Sequence, residues 1–446
     1  FGVIFGGPVE IKNLTRAGAA SNLNYIQAAG IQVTGPSHFN RPLTLHSTGS
    51  VTSSAVPSLK DAKGSIVISS DLSVGTAGDG VSDLSLWNNA DNSSFGILVI
   101  NATLRVGGSV EALSNRSSLT GFTLKKSTFV GGGDLKLFSF RGNEVSGISI
   151  VESTVTVARD LIIKDLNSGA VLGVWMESSK ITLGRDMMVN RTGLGLFATA
   201  IGSSNLNLTA GRDVILEQSD YATNPIRFES CQFSAGRDFT AKVKGSGYYN
   251  SFDSYKSSIV AGRDLTVEVS GETYSTSIQL GDTVARAGHN LILTQTATAE
   301  ARNSGIIIGN SSLSAGADLS LLQLGVVEQN YNSTYPAIAF DAKFNGVVGA
   351  VKLSGGHKDL SWITIRSNGS IGLGLYGSDN FNLTHARVRI DLKGMLGTGS
   401  HLVKAATLNA QGLDVFYNSA ASGNSVNFDL GSGIFVRIID RRSTTT

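Results

Sequence analysis

The sequence predicts an all-β fold, a right-handed parallel β-helix (solenoid) with about 26 residues per coil and three short strands per coil. A Gly-Arg-Asp-type turn recurs at intervals of 25 to 28 residues between Asp134 and Asp318. Between the turns, apolar residues alternate with polar ones, and no segment shows the spacing of a long helix. Glycine is abundant at 53 residues and proline is scarce at 6, which suits short strands joined by tight turns.

The coil that runs from Asp160 to Asp186 illustrates the expected order of elements. An alternating strand at 161–163 follows the turn, and a polar connection leads to a second apolar strand at 174–176. A small polar corner at 178–179 redirects the chain into a third strand at 181–183, which ends at the next Gly-Arg-Asp. Strands one coil apart would pair in parallel, so each coil buries its apolar face against its neighbours.

The Gly-Arg-Asp turn has a structural explanation. We expect its glycine to adopt the left-handed conformation of a sharp corner, and its aspartate to accept backbone N–H groups that lack a ladder partner. A column of carboxylates would repel itself, and the adjacent column of guanidinium groups compensates this charge. The order of the three residues disfavours an integrin-type Arg-Gly-Asp signal. The clearest turn residues are Gly184, Arg185, Asp186, Gly211, Arg212, Asp213, Gly236, Arg237, Asp238, Gly262, Arg263 and Asp264.

The repeat also suggests how the chain is organised. Residues 1–82 are expected to form the amino-terminal part of the β-helix, where the register is weak, and 83–325 the regular coils. The next similar turn after Asp318 ends 41 residues later at Asp359, so 326–356 is interpreted as an insertion with a candidate binding loop. Insertions in solenoids project from one face, which is often the binding face. Residues 357–446 would then be carboxy-terminal coils.

Composition excludes several function classes. The formal net charge is only +2 and the basic residues are scattered, so we expect no nucleic-acid partner. No apolar run is long enough for a membrane helix, so we expect no membrane insertion. The single Cys231 is interpreted as a small buried residue, and the six histidines lack metal-ligand spacing. We therefore expect no metal, no cofactor and no enzymatic activity, although β-helical polysaccharide lyases and hydrolases remain a less favoured alternative.

Exposed aromatic rings beside hydrogen-bonding side chains are typical of sugar-binding sites. Two stretches have this composition, and their candidate glycan-binding residues are Tyr248, Tyr249, Tyr255 and Lys256 in the first and Tyr331, Tyr335 and Lys358 in the second. Packing of the same rings along the edge of the coils is an equally good interpretation. Trp87, Trp175 and Trp362 fall within strand-like pieces, and we expect each to line the core or a groove.

Asn-x-Ser/Thr triplets are somewhat more frequent than chance predicts. Such triplets are acceptors for N-glycosylation, although ordinary polar strand composition explains them about as well. The candidate acceptors are Asn13, Asn92, Asn101, Asn115, Asn190, Asn207, Asn310, Asn332, Asn368 and Asn382.

Ala-Gly-Arg-Asp units at 210–215, 235–240 and 261–267 resemble the haemagglutinin repeats of exoproteins exported by two-partner secretion, of the filamentous haemagglutinin type. The sequons and the scarcity of cysteine make the chain similar to the high-molecular-weight non-pilus adhesins. The resemblance implies a secreted virulence glycoprotein on the bacterial outer surface, exported through an outer-membrane transporter. It also implies cell adhesion through host-cell glycans or glycoproteins, some of them sialylated.

The leading hypothesis is therefore a bacterial surface adhesin domain, a monomer that presents a side face of a β-helix to host-cell glycans. This domain is expected to be an internal part of a longer protein. The first alternative is a structural stalk of a large exoprotein without a ligand of its own. The second, less favoured, is a β-helical polysaccharide lyase or hydrolase.

Overall fold

The computed structural model confirms an all-β parallel β-solenoid with about 26 residues per turn and three parallel sheets. The residues that it describes are 2–4, 9–11, 15–16, 24–28, 30–48, 66–76, 82–89, 96–115, 120–140, 146–166, 172–192, 199–219, 224–245, 249–271, 275–297, 303–325, 338–341, 343–344, 347–348, 351–354, 363–367, 371–372, 381–384, 388–391, 400–405, 413–417, 425–430 and 436–440. None of these residues forms a helix that could span a membrane.

The chain forms two compact units, and the first is Phe1–Ala222. Its strands follow one another in the repeating order sheet A, sheet B, sheet C. Sheet A contains β1 (Gly2–Ile4), β4 (Asn24–Ala28), β7 (Leu43–Ser47), β10 (Leu84–Asn88), β13 (Val110–Ser114), β16 (Leu135–Ser139), β19 (Leu161–Asp165), β22 (Met187–Thr192) and β25 (Val214–Ser219). Sheet B contains β2 (Val9–Ile11), β5 (Ile31–Val33), β8 (Ile66–Ile68), β11 (Ile97–Ile100), β14 (Thr120–Lys125), β17 (Ser146–Val151), β20 (Leu172–Glu177) and β23 (Thr199–Ser204). Sheet C contains β3 (Thr15–Arg16), β6 (Ser37–Phe39), β9 (Leu72–Val74), β12 (Thr103–Val106), β15 (Thr128–Gly131), β18 (Thr154–Val157), β21 (Lys180–Leu183) and β24 (Asn207–Ala210).

In the second unit, Thr223–Thr446, the strands up to Thr384 repeat the same order of sheets, apart from one antiparallel pair. Sheet A contains β28 (Phe239–Gly245), β31 (Leu265–Gly271), β34 (Leu291–Ala297), β37 (Leu319–Gly325), β42 (Ile363–Ser367), β45 (Val388–Asp391), β47 (Leu413–Tyr417) and β49 (Val436–Asp440). Sheet B contains β26 (Asn224–Glu229), β29 (Tyr249–Tyr255), β32 (Ser275–Gly281), β35 (Asn303–Gly309), β38 (Ile338–Asp341) and β43 (Ile371–Gly372). Sheet C contains β27 (Gln232–Ala235), β30 (Ser258–Ala261), β33 (Val284–Ala287), β36 (Ser312–Ala315), β41 (Val351–Ser354) and β44 (Phe381–Thr384).

The segment 326–356, interpreted above as an insertion, contains strands of the solenoid. Strand β38 pairs in parallel with β35, and β41 pairs in parallel with β36. Between them lies an antiparallel pair, β39 (Lys343–Phe344) and β40 (Val347–Val348). A further parallel pair, β46 (Ser400–Ala405) and β48 (Ser425–Leu430), lies nearer the carboxyl end.

Inward-facing side chains form the core of each unit. In β19, Leu161 and Ile163 are fully buried, as period-two alternation requires. In the second unit, the ring of Phe228 lies 4.4 Å from that of Phe233 and 5.5 Å from that of Phe252, measured between centroids. Removing this apolar surface from water is the main stabilising term. It requires several stacked coils, because one coil alone cannot bury its inner face.

The Gly-Arg-Asp turn is a ladder of charge-assisted hydrogen bonds. The Asp186 N–H donates to Asp160 Oδ1 (3.1 Å), and the Asp213 N–H donates to Asp186 Oδ1 (3.1 Å). The Arg212 guanidinium also donates to Asp186, and this bond holds the pKa of that carboxyl below its ordinary value. In the second unit, Arg263 binds Asp238 with both Nε and Nη2. Asp160, Asp186 and Asp238 each accept from one guanidinium and one backbone N–H of the next coil.

The prediction that the glycine of this turn adopts a left-handed conformation is wrong. Among the described glycines, only Gly75 has a positive φ. At three of these turns, glycine leaves room for a close approach of successive coils. A Cβ on Gly184 would lie 2.0 Å from the Ala158 carbonyl oxygen, and one on Gly211 would lie 2.2 Å from that of Gly184. The same contact is 2.1 Å between Gly262 and Gly236 in the second unit.

The described residues other than glycine that adopt a left-handed conformation all lie at the corner between sheets B and C. They are Asn101, Lys126, Glu152, Ser178, Asn205, Ser230, Lys256, Asp282 and Asn310, with φ between 43° and 55°. Many of them precede a buried hydroxyl that joins successive coils. The Ser153 N–H donates to Ser179 Oγ at 3.0 Å, and the Cys231 N–H donates to Ser257 Oγ at 3.0 Å. Cys231 is 1% exposed, which confirms its interpretation as a small buried residue.

One ion pair lies inside the first unit. Asp165 and Arg191 occupy paired positions in β19 and β22, both side chains are fully buried, and Nε lies 3.6 Å from Oδ2. Two glycines make room for them. A Cβ on Gly147 would lie 2.4 Å from Asp165 Oδ1, and one on Gly173 would lie 2.7 Å from Arg191 Nε. Because a buried charge is costly without its partner, loss of either side chain would be strongly destabilising.

Candidate carbohydrate-binding surfaces

The structure places Tyr255 and Lys256 together at the end of β29 in the second unit. Lys256 occupies the left-handed corner and is exposed. Tyr249 is the first residue of the same strand, but its side chain lies outside the description. Tyr248, Tyr331, Tyr335 and Lys358 lie outside the described residues.

The Tyr255 ring is half-buried on the outer face of sheet B. Its hydroxyl donates to Gln279 Oε1 at 3.0 Å. The Arg227 guanidinium carbon lies 5.8 Å from the ring centroid, within the range of a cation–π contact. Burial raises the pKa of Tyr255 to about 12, with a further rise from the Asp253 charge and an opposing effect of Arg227. The ring is thus neutral at physiological pH and fixed in orientation, and Lys256 follows it in the chain.

Asp253 lies on the same outer face, and the sequence did not predict a role for its carboxyl group. It pairs in register with Arg227 on one side and Gln279 on the other. The side chain is nevertheless only 7% exposed, and burial raises its pKa to about 6. Ser251 Oγ donates to Oδ2 at 3.1 Å, whereas Oδ1 has no hydrogen-bond partner in the part of the chain that the structure describes.

A second aromatic surface lies on the outer face of sheet A in the first unit. Strand pairing stacks His46, Trp87, Leu113, Phe138 and Lys164 at one outward position of successive strands. His46 and Trp87 make an edge-on ring contact at 5.8 Å between centroids. The Lys164 ammonium lies 6.0 Å from the centroid of Phe138. Burial lowers the pKa of His46, which favours its neutral form.

Two further apolar side chains widen this surface. The Phe140 ring lies 6.1 Å from that of Phe138, and Leu166 is 41% exposed. Their backbone N–H groups donate to Ser114 and Ser139, so they follow the ends of neighbouring strands. We call Trp87, Leu113, Phe138, Phe140 and Leu166 the sheet A apolar face.

Trp87 and Trp175 both point outward from their strands and are half-buried, so they line surfaces and not the core. Trp175 Nε1 donates to Glu177 Oε2 at 3.1 Å on sheet B of the first unit. A Cβ on Gly202, one strand further, would lie 2.4 Å from the Trp175 ring, so the indole lies over this glycine. Trp362 lies outside the described residues.

The candidate acceptor asparagines occupy different environments. The exposed ones are Asn101, Asn115, Asn190 and Asn207. Asn310 is half-buried and its Nδ2 donates to Asp282 Oδ1 at 2.6 Å. Asn382 lies in β44, with its side chain outside the description, and Asn13, Asn92, Asn332 and Asn368 are outside the described residues.

Within the described ranges, no three His, Cys, Asp or Glu side chains come together as a metal site. No known protein family matches this chain, and neither a curated protein nor a solved structure matches it. The chain is therefore assigned by its fold, as a parallel β-solenoid protein.

Proposed function

We propose that this chain is a surface adhesin domain of a secreted bacterial exoprotein of the two-partner-secretion type. It acts as a monomer on the outer surface, reaches it through an outer-membrane transporter, and binds host-cell glycans through a side face of the solenoid. Binding is non-covalent and requires no cofactor or catalytic step. The secretion class rests on the resemblance of the repeated Ala-Gly-Arg-Asp units.

The observation that supports glycan binding is the arrangement around Tyr255. A half-buried ring with one edge fixed by Gln279 offers an apolar platform for the face of a pyranose. Arg227 and Lys256 supply donors beside the platform for hydroxyl or carboxylate oxygens of a sugar. Because Gln279 holds Tyr255 and Glu229 holds Arg227 before binding, little entropy of these two side chains is lost on association.

A glycan array tests this proposal. Wild-type protein is expected to bind a defined set of mammalian glycans, and Tyr255→Ala to lose about tenfold in affinity, which corresponds to about 1.4 kcal/mol. Ser234→Ala, an exposed residue of β27 in the same unit, serves as the control. An array in which wild type and Tyr255→Ala give equal signals rules out this site.

The exposed sequons are proposed to carry sugar in the native protein. Asn101, Asn115, Asn190 and Asn207 are accessible to a modifying enzyme, whereas Asn310 is engaged with Asp282. In the natively secreted protein, we expect peptide mass spectrometry to find a higher occupancy of hexose on these four asparagines than on Asn310. Unmodified peptides at all four exposed sites would contradict the proposal that the exposed sequons carry sugar.

Asp253 favours polysaccharide cleavage as a second candidate function. A carboxyl with a pKa of about 6 is suited to general acid or base catalysis, and Tyr255 and Arg227 lie on the same face. The test is release of reducing ends or unsaturated products from a panel of polysaccharides. Product from wild type and none from Asp253→Asn would replace the adhesin proposal by a lyase or hydrolase. A stalk without a ligand remains the interpretation if the array and the panel are both negative.

A further inference from the structure

The outer face of sheet A in the first unit is unusually apolar for a surface that meets water. Its central outward column runs through Trp87, Leu113 and Phe138, and the neighbouring column continues with Ile162, Met188 and Ile215. All six side chains are half-buried. Sheets with one solvated face normally carry polar residues there.

The second unit provides an internal comparison. Thr240 and Thr266 occupy one outward column of its sheet A, and Lys242 and Glu268 occupy the next, where they form an ion pair at 3.5 Å. The solenoid therefore does not require an apolar outer face on this sheet. A contiguous, partly exposed apolar patch of the kind that the first unit carries is typical of a binding surface.

The charges on this face select a neutral ligand. Its outward strand positions between Ser85 and Ser219 carry two lysines, Lys136 and Lys164, and two glutamates, Glu111 and Glu217. These formal charges cancel. Glu111 is paired in register with Lys136 on the next strand, so the nearest acid and base lie side by side.

The spacing of the rings selects an extended chain of sugars. Trp87 and Phe138 occupy the same outward position two strands apart, which separates them by roughly 10 Å along the stack of strands. An extended β-linked pyranose chain repeats its orientation every second sugar over a comparable length. Each ring would then stack on an equivalent sugar, while Lys164 and Glu111 offer a donor and an acceptor to its hydroxyl groups.

We propose that the sheet A apolar face binds a linear, neutral, β-linked polysaccharide whose chain runs parallel to the stack of strands. Proteins fit this face less well. A partner strand would add to a sheet edge, and a second copy would have to bury Lys136 and Lys164 against an apolar surface. The inference deepens the proposed glycan recognition by naming a ligand class, and it places that ligand on a different unit from Tyr255.

Calorimetric titration with cello- and chito-oligosaccharides from disaccharide to hexasaccharide tests this inference. The affinity of the wild type is expected to rise about tenfold between disaccharide and tetrasaccharide and then to level off, once both rings are covered. Trp87→Ala is expected to lose about tenfold in affinity for the hexasaccharide. Phe138→Leu retains apolar volume but removes the ring, and it is expected to abolish the length dependence. Thr156→Ala, exposed on sheet C of the same unit, is the control.

Other outcomes separate this inference from the proposed function. Preferential binding of hyaluronan or another acidic chain overturns the neutral ligand class. A concentration-dependent dimer that Trp87→Ala dissociates makes the face an interface between copies and overturns the inference. The protein could instead bind host glycans and no oligosaccharide, with binding removed by Tyr255→Ala and not by Trp87→Ala. This result contradicts the inference and leaves the proposed function intact. If Trp87→Ala removes oligosaccharide binding and the array shows no host-glycan binding, the inference holds and the proposed function is contradicted.

Discussion

At the scale of single residues, Asp253 has the most consequential environment. Burial raises its pKa to about 6, so the folded state favours the protonated carboxyl more than the unfolded chain does. Its contribution to stability is therefore complete below the ordinary pKa of an aspartate and is lost as pH rises through 6. We expect Asp253→Asn to raise the free energy of unfolding by roughly 3 kcal/mol at pH 7.5 and to change it little at pH 4.

Denaturant unfolding at the two pH values measures this difference. Glu229→Gln is the matched control, since Glu229 lies on the same face of the neighbouring strand and is 56% exposed. The control is expected to have a small effect at both pH values. An equal gain for Asp253→Asn at pH 4 and pH 7.5 would contradict the role of desolvation.

The left-handed corners give a second prediction at this scale. Ser230 has φ of 55°, whereas Ser234, four residues later, lies in the extended strand β27. At Ser230, glycine would relieve a left-handed backbone strain of about 1–2 kcal/mol. At either serine, glycine also adds an entropic cost of about 0.5–1 kcal/mol. Ser230→Gly should therefore raise the melting temperature and Ser234→Gly should lower it. Shifts of the same sign in thermal denaturation would argue against the assigned backbone conformations.

Single-residue environments were only partly predictable from the sequence. The sequence singles out Tyr255 and Lys256 because aromatic and basic side chains cluster in this stretch, and both remain candidate glycan-binding residues. Asp253 was missed, since alternation places it outward and cannot reveal that neighbouring coils bury it. The error at the turn glycines has a related cause. The repeat shows that glycine is favoured at the turn, but not whether the backbone angle or the close approach of another coil favours it.

At the scale of elements, the close approach at the turn yields a paired prediction. Ala158 occupies the position in its coil that glycine occupies at Gly184 and Gly211. Gly211→Ala would place a Cβ 2.2 Å from a backbone carbonyl oxygen, so it is expected to cost about 1–3 kcal/mol. Ala158→Gly removes no clash and should change stability by less than about 1 kcal/mol. Urea titration of both variants measures the difference in their free energies of unfolding. Equal losses of stability would mean that the coils can move apart at this corner at little cost.

The strands themselves were predictable because three inner faces repeat with one period. Alternation and the returning turn placed the strand at 161–163 within β19 and the strand at 181–183 within β21. The outer face of sheet A was not foreseen, although a signal was present. Uninterrupted apolar triplets at 161–163, 187–189 and 214–216 leave an apolar residue on both sides of the strand. Such runs indicate either a sheet covered on both faces or a binding surface.

At the scale of the whole molecule, charge is distributed in compensating pairs. The formal net charge of +2 arises from 36 basic and 34 acidic residues. Turn arginines are paired with turn aspartates, as in Arg185 with Asp160 at 2.8 Å and Arg159 with Asp134 at 3.2 Å. Such pairing weakens any basic field that would attract a polyanion.

Recognition of neutral oligosaccharides by the sheet A apolar face should therefore depend little on ionic strength. Stacking on rings is not screened by salt, whereas a protein that neutralises 6–10 phosphates loses about a thousandfold or more in affinity between 50 and 200 mM salt. We expect oligosaccharide affinity to change by less than about twofold over that range, and duplex DNA to show no saturable binding at the upper concentration. Parallel calorimetric titrations measure both. A steep decline of sugar affinity with salt would mean that ion pairing, and not the compensated aromatic surface, dominates the binding energy.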